Sequence, residues 1–243
     1  MTNPEELAIA ICNRYTGVGA DGWILLAPSI ADDSDGAIRV FNSDGSEAEI
    51  SGNGTRCVAA LLAREQPDRT EFRIQTAAGI KHLRLISRTE TELQFEMNMG
   101  QVRVTDLNAS IQGRNAVLVN AGNPQCAVPV EDFEFDWRSL GKAIESDGRF
   151  PNRTNVSFFR ALDRHRIEVR FWERGAGETN SSGTGSSGAA LAAIARGMAE
   201  SPVQVLTPAG PLIIRSANSV YITGPAEFVA EGWFQHGRMT GND

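Results

Sequence analysis

The chain has 243 residues, 41% hydrophobic and 22% charged, enough apolar material for one large domain or two small ones. No apolar run approaches the ~18 residues of a membrane helix, and a formal charge of −7 without a basic run argues against nucleic-acid binding, which rests on clustered Lys and Arg. Cys12, Cys57 and Cys126 are widely spaced and His82, His165 and His236 stand apart, so neither a disulfide framework nor a metal site is expected. A reducing cytoplasm fits this cysteine usage, and the acidic start MTNPEELAIAIC lacks the basic region of a signal peptide.

Pro4-Glu5-Glu6 before LAIAICNRY reads as a helix ending at Gly17, with proline and acids in its first turn. The segments GWILLAPS, AIRVFNS, EFRIQTA, HLRLISR and LQFEMNM then alternate or run apolar and are separated by turn residues, the pattern of strands. One helix, Gly52 to Arg64, interrupts them. A second series follows from about residue 106, with AVLVNAG, CAVPV, VSFFRAL, IEVRFWE, VQVLTPA, LIIRS and SVYITG as strands. It too is interrupted by one Ala-rich helix, opening at Gly183 and ending near Ser201-Pro202.

Ser51-Gly-Asn-Gly-Thr55 and Ser182-Gly-Thr-Gly-Ser186 each precede the internal helix of their half, a weak internal repeat whose placement favours duplication. The reading is an α/β (α+β) fold of two pseudo-symmetric domains, residues 1–105 and 106–224, each a mostly antiparallel sheet wrapped on a central helix. Residues 225–243 would form a returning strand and tail.

A helix start presents unpaired N–H groups and a positive dipole end, so each S-G-x-G turn is a candidate anion cradle. If the halves face each other across a pseudo-twofold axis, Ser51 and Ser182 oppose each other across one cleft. The plainer alternative is that both serines only cap their helices and the glycines allow tight packing. Gly183 to Gly188 also matches G-x-G-x-x-G, but it lies late in the chain, among antiparallel strands, with no acid about 20 residues on to hold a ribose. Neither serine lies in a G-x-S-x-G elbow, which disfavours a serine hydrolase.

Over nearly its whole length the sequence resembles the diaminopimelate epimerases. The resemblance rests on Cys12-Asn-Arg-Tyr-Thr-Gly-Val-Gly-Ala-Asp-Gly22, Arg39-Val-Phe-Asn-Ser-Asp-Gly-Ser-Glu47, Gly52-Asn-Gly-Thr-Arg-Cys57, Asn98-Met-Gly100, Gly122-Asn-Pro, Thr154-Asn-Val, Glu173-Arg-Gly-Ala-Gly-Glu-Thr179 and Thr223-Gly-Pro-Ala-Glu-Phe-Val. It implies two pseudo-symmetric α/β domains around one active site, and a cofactor-independent isomerase, without pyridoxal phosphate or metal, that converts LL- to meso-diaminopimelate in lysine biosynthesis. Substrate groups would be held by Asn42, Asn123, Asn155, Glu173 and Arg174, and by the helix starts at Gly52, Asn53, Gly183 and Thr184. The partner implied is a small-molecule amino acid, with no nucleic acid and no membrane; a homodimer is compatible.

The departures fall at the chemistry. In such epimerases one cysteine precedes each G-x-G turn, and the two thiols act as base and acid on opposite faces of the α-carbon; here these positions are Ser51 and Ser182. A thiol has a pKa of about 8.5, whereas a serine hydroxyl stays protonated unless a base adjoins it. Weak turnover is therefore expected. Two alternatives stay open: a non-catalytic amino-acid binding homologue, and a related isomerase using Glu173 or Glu178 as base. Cys57, more than a turn inside its helix, is expected to pack in the core. The family's His after Gly-Asn-Pro is Gln125, and its N-terminal strand with a Gly-Asn-Asp-Phe motif has no match in a chain that starts at the first helix. The returning strand, expected at residues 225–234, would then have an unpaired neighbour.

Overall fold

A computed structural model describes residues 3–29 and 33–235; His236 lies outside them. The first helix, α1 (Pro4–Cys12), is capped by Asn3, whose side chain accepts from Glu5 N at 3.1 Å. It stops short of the expected Gly17 because Asn13 is extended and its Oδ1 accepts from Tyr15 N and Thr16 N, both at 2.9 Å. That side-chain turn competes with further helix. Next come β1 (Gly22–Ala27), β2 (Gly36–Asn42), the short β3 (Glu47–Ala48), α2 (Gly52–Glu65), β4 (Glu71–Thr76), β5 (Gly79–Arg88) and β6 (Glu92–Gly100).

The second half adds β7 (Arg103–Ile111), β8 (Arg114–Asn120) and β9 (Pro124–Pro129). It then runs α3 (Trp137–Glu145), β10 (Asn155–Asp163), β11 (Arg166–Glu173), β12 (Gly177–Thr179), α4 (Gly183–Ala195), β13 (Val203–Thr207), β14 (Gly210–Ser216) and β15 (Val220–Glu227). The series α1-β1-β2-β3-α2-β4-β5-β6 thus recurs as α3-β10-β11-β12-α4-β13-β14-β15. Pairing repeats with it. β1/β2 and β10/β11 are antiparallel, β3 and β12 fold back on β2 and β11, and β2/β4 and β11/β13 are parallel.

All strands join in one sheet ordered β1-β2-β4-β5-β6-β15-β14-β13-β11-β10-β9-β8-β7, with β3 and β12 off the path. The equivalent strands β6 and β15 pair antiparallel at the centre, Met97 opposite Ile222 and Phe95 opposite Gly224, so the pseudo-twofold axis passes between them. One core runs through this seam, combining Leu62, Phe72 and Met97 with Phe171, Ile214 and Ile222 around α2 and α4. A second cluster, with Trp137, Ile144 and Phe158, lies under α3.

Several expectations are corrected here. The returning strand is Val220–Glu227, merging SVYITG with the residues after it, and residues 228–235 carry no regular element. Pro225 is tolerated inside it because β14 pairing ends at Thr223, leaving the side where an N–H is lacking unpaired. β15 has partners on both sides, and the outermost strands of the order are β1 and β7. Strand β7 and helix α3 were not expected. α4 ends at Ala195, not near Ser201, because Gly197 adopts φ +68°. Met198 N bonds Ala193 O at 2.8 Å and Gly197 N bonds Ile194 O at 2.9 Å, the Schellman closure of a helix. None of the described helices is long and apolar enough to cross a membrane.

Candidate active site

The two repeated turns meet at the seam. A Cβ built on Gly52 would lie 3.6 Å from the Cα of Gly183, and one on Gly183 3.6 Å from the Cα of Gly52. The two helix starts therefore lie directly against each other, with room for no more than a methyl at either position. Each start is capped alike: Ser51 Oγ accepts from Gly54 N, and Ser182 Oγ from Gly185 N, both at 3.1 Å. The last glycine of each turn must also stay small. A Cβ on Gly54 would lie 2.4 Å from Ile24 Cδ1, and one on Gly185 2.9 Å from both the Phe171 ring and Ser182 Oγ.

The capping reading is therefore correct as far as it goes, and it is compatible with ligand binding, since a cap satisfies only one of the free N–H groups at each start. Both helix dipoles end at the same place, so their positive ends add there.

The serines differ in what surrounds them. Ser182 is buried, and its hydroxyl donates to Glu173 Oε1 at 2.5 Å. Glu173 also accepts from Thr179 Oγ1 at 2.8 Å, and burial pushes its carboxyl up against the pull of these two hydrogen bonds. Among the described residues no carboxylate bonds Ser51. The second candidate base, Glu178, instead forms a two-pronged ion pair with Arg138 on the surface, at 2.6 and 2.8 Å.

Gln125, buried beside α4, donates to Asn123 Oδ1 at 2.7 Å and to Thr184 Oγ1 at 3.1 Å. Asn155 donates to Pro124 O at 3.1 Å and accepts from Arg174 N at 3.0 Å. Asn123, Asn155, Glu173, Ser182 and Thr184 are thus tied into the second half around its helix start. Two expected site groups stand outside this network. The Asn42 side chain donates to Ser46 within its own turn at 2.9 Å, and the exposed Arg174 guanidinium donates to Asn152 O at 3.2 Å.

Three residues were not singled out from sequence. Thr179 fixes Glu173. Glu145 holds the loop after β11 by accepting from Trp172 Nε1 at 2.8 Å and Gly175 N at 3.0 Å. Arg56 is buried under α2. The Asp136 cap before Trp-Arg-Ser-Leu-Gly, with Trp137, Gly141 and Ile144 on one face, was the signal for the helix that carries Glu145.

None of the three thiols takes the place of the serines. Cys12 and Cys126 are buried, and burial pushes the Cys126 thiol up to about 12. Cys57 is exposed at a cleft that it lines together with residues of β14 and β15 rather than packed in the core, and desolvation raises it too.

This fold is shared with solved structures of low sequence identity. A hydroxyproline epimerase from Agrobacterium vitis, solved with trans-4-hydroxy-L-proline bound, aligns with a TM-score of 0.69 at 17% identity over 91% of this chain and 78% of that one. Within that fold, the chain belongs to the diaminopimelate epimerase family, whose profile matches residues 1–105 and 117–229. The diaminopimelate epimerase of Pelotomaculum thermopropionicum is 36% identical over 96% of this chain and 91% of its own length. That of Pseudomonas savastanoi pv. phaseolicola is 39% identical over 90% and 86%.

Proposed function

We propose that this protein is a cytoplasmic, cofactor-independent epimerase of the diaminopimelate type, acting in lysine biosynthesis, with turnover limited by its two serines. The observation that carries this reading is the meeting of two serine-capped helix starts at Gly52 and Gly183, with a carboxylate beside one serine. The α-carboxylate of the substrate would lie on the free N–H groups of the two starts. Removing the α-proton delocalises charge onto that carboxylate, and fixed N–H donors with two dipole ends stabilise it as it develops.

The serines then act unequally. On one face Ser182 takes the α-proton while passing its own to Glu173, so the C–H bond breaks and the proton ends on the carboxylate. On the other face Ser51 has its Oγ held by Gly54 N and a hydroxyl proton to give, but no base to recharge it. This asymmetry supports exchange on the Ser182 face with slow inversion. A binding homologue without chemistry is the second reading, favoured by the lack of any carboxylate on Ser51.

The test is α-deuteration of LL-diaminopimelate in D2O followed by NMR. The proposed reading expects slow label uptake in the parent and its loss in Glu173→Gln. Saturable binding with no label uptake would establish the binding homologue instead, and the absence of both binding and label uptake would overturn both readings.

A further inference from the structure

Arg56 lies one turn into α2, is 3% exposed, and forms no ion pair among the described residues. A buried guanidinium without a carboxylate is costly, and burial pulls its pKa down to about 10. Its fork spans the seam. Nη2 donates to Asn53 Oδ1 at 2.8 Å, Nε donates to Pro225 O on β15 at 3.2 Å, and Nη1 is buried with no hydrogen-bond partner.

That free nitrogen faces the meeting point of the helix starts, for a Cβ on Gly52 would lie 4.0 Å from Nη1 and 3.6 Å from the Cα of Gly183. The guanidinium rests on Gly224 of β15, where a Cβ would come within 3.2 Å of its Cζ. A cleft of about 210 Å³ beside it is lined by Asn53, Arg56 and Pro225 together with Ser181, which immediately precedes the second turn. One side chain therefore touches the first turn, the strand that joins the halves, and the space before the second turn.

We propose that Arg56 is a positioning residue for the carboxylate cradle: it adds a fixed positive charge behind the paired helix starts and sets Gly52-Asn53 against the strand joining the two halves. The inference rests on the reading of these turns as the α-carboxylate site. A charge kept without a counter-ion is stabilised when an anion arrives in front of the same helix starts, so its cost in the free protein becomes affinity in the bound one.

The experiment is calorimetric titration of meso-diaminopimelate into the parent, Arg56→Lys and Arg56→Met, with folding of each verified by circular dichroism. The expected order of affinity is Arg, then Lys, then Met, with the Met variant weaker by roughly tenfold. Lys restores charge but not the fork, whereas Met restores volume but not charge. A purely structural role reverses the last two, since apolar Met fills the buried site better than a misplaced ammonium. Equal binding by all three would overturn the inference, as would a Met variant that binds at least as well as Lys. If Arg56→Met fails to fold, Arg56→Gln, which keeps hydrogen-bonding groups without the charge, takes its place, and Gln binding as tightly as the parent would overturn the inference. No saturable binding by the parent would instead overturn the reading of the cradle itself, and the inference with it.

Discussion

Glu173 and Glu178 were equal candidates in the sequence, and only the surroundings separate them. Glu178 is drawn to the surface by Arg138, while Glu173 is half-buried against Ser182 and Thr179. The difference has a consequence for stability. Because burial raises the folded carboxyl above its ordinary value of 4.5, the neutral form favours the fold. Its contribution is full below that ordinary value and is lost as pH rises through the raised one. Glu173→Gln cannot titrate, so its stability relative to the parent should increase over that rise, measured by urea denaturation across the pH range. A gap between the two that does not change with pH would show that the carboxyl is not desolvated. The grouping of Ser51, Ser182 and Glu173 is legible because their motifs are contiguous, whereas the exposed Arg174 guanidinium turns to Asn152 O instead. The contact of Thr179 with Glu173 is not legible, since it needs β12 to fold back on β11, and those of Glu145 and Arg56 are not, since they depend on residues distant in sequence or on burial.

The helices show where local signals suffice and where they are overridden. Both internal helix starts were legible from Ser-Gly-x-Gly, because a serine cap followed by small residues needs no tertiary partner. The ends were less so. Asn13 and Gly197 stop α1 and α4 early through side-chain and left-handed turns, while the residues beyond remain helix-compatible in composition. The short helix α3 was missed because its apolar face is only Trp137, Gly141 and Ile144, too few to stand out between strands.

The turn glycines should differ in tolerance. Gly185→Ala places a methyl 2.9 Å from the fully buried Phe171 ring and should cost about 1–3 kcal/mol in chemical denaturation. Gly183→Ala meets only ordinary contacts at 3.5 and 3.6 Å, so its stability should stay within about 1 kcal/mol of the parent. Equal losses would mean that the turns do not pack as described.

The whole molecule is a duplicated unit closed on itself through β6 and β15. A five-residue stretch with three identities, Ser51-Gly-Asn-Gly-Thr55 and Ser182-Gly-Thr-Gly-Ser186, points to this repeat, and the pairing of every equivalent strand agrees with it. Its consequence is that the site belongs to neither half alone. A dicarboxylate that bridges both helix starts should bind the folded chain and not the unfolded one, so meso-diaminopimelate should raise the melting temperature saturably. At about 100 times Kd the gain is about 2.7 kcal/mol. No shift at millimolar ligand would count against the cradle.

The claim that one α-carbon is worked from two faces by residues of opposite halves is tested most directly by restoring thiols. The measurement is LL- to meso-diaminopimelate conversion by the parent, Ser51→Cys, Ser182→Cys and the double variant. Inversion needs a base on one face and an acid on the other in the same turnover, so the effects are not additive. The double variant should convert substrate far faster than the parent while each single change helps little. A parent that converts as fast as the double variant, or a single variant that matches it, would contradict the two-faced site.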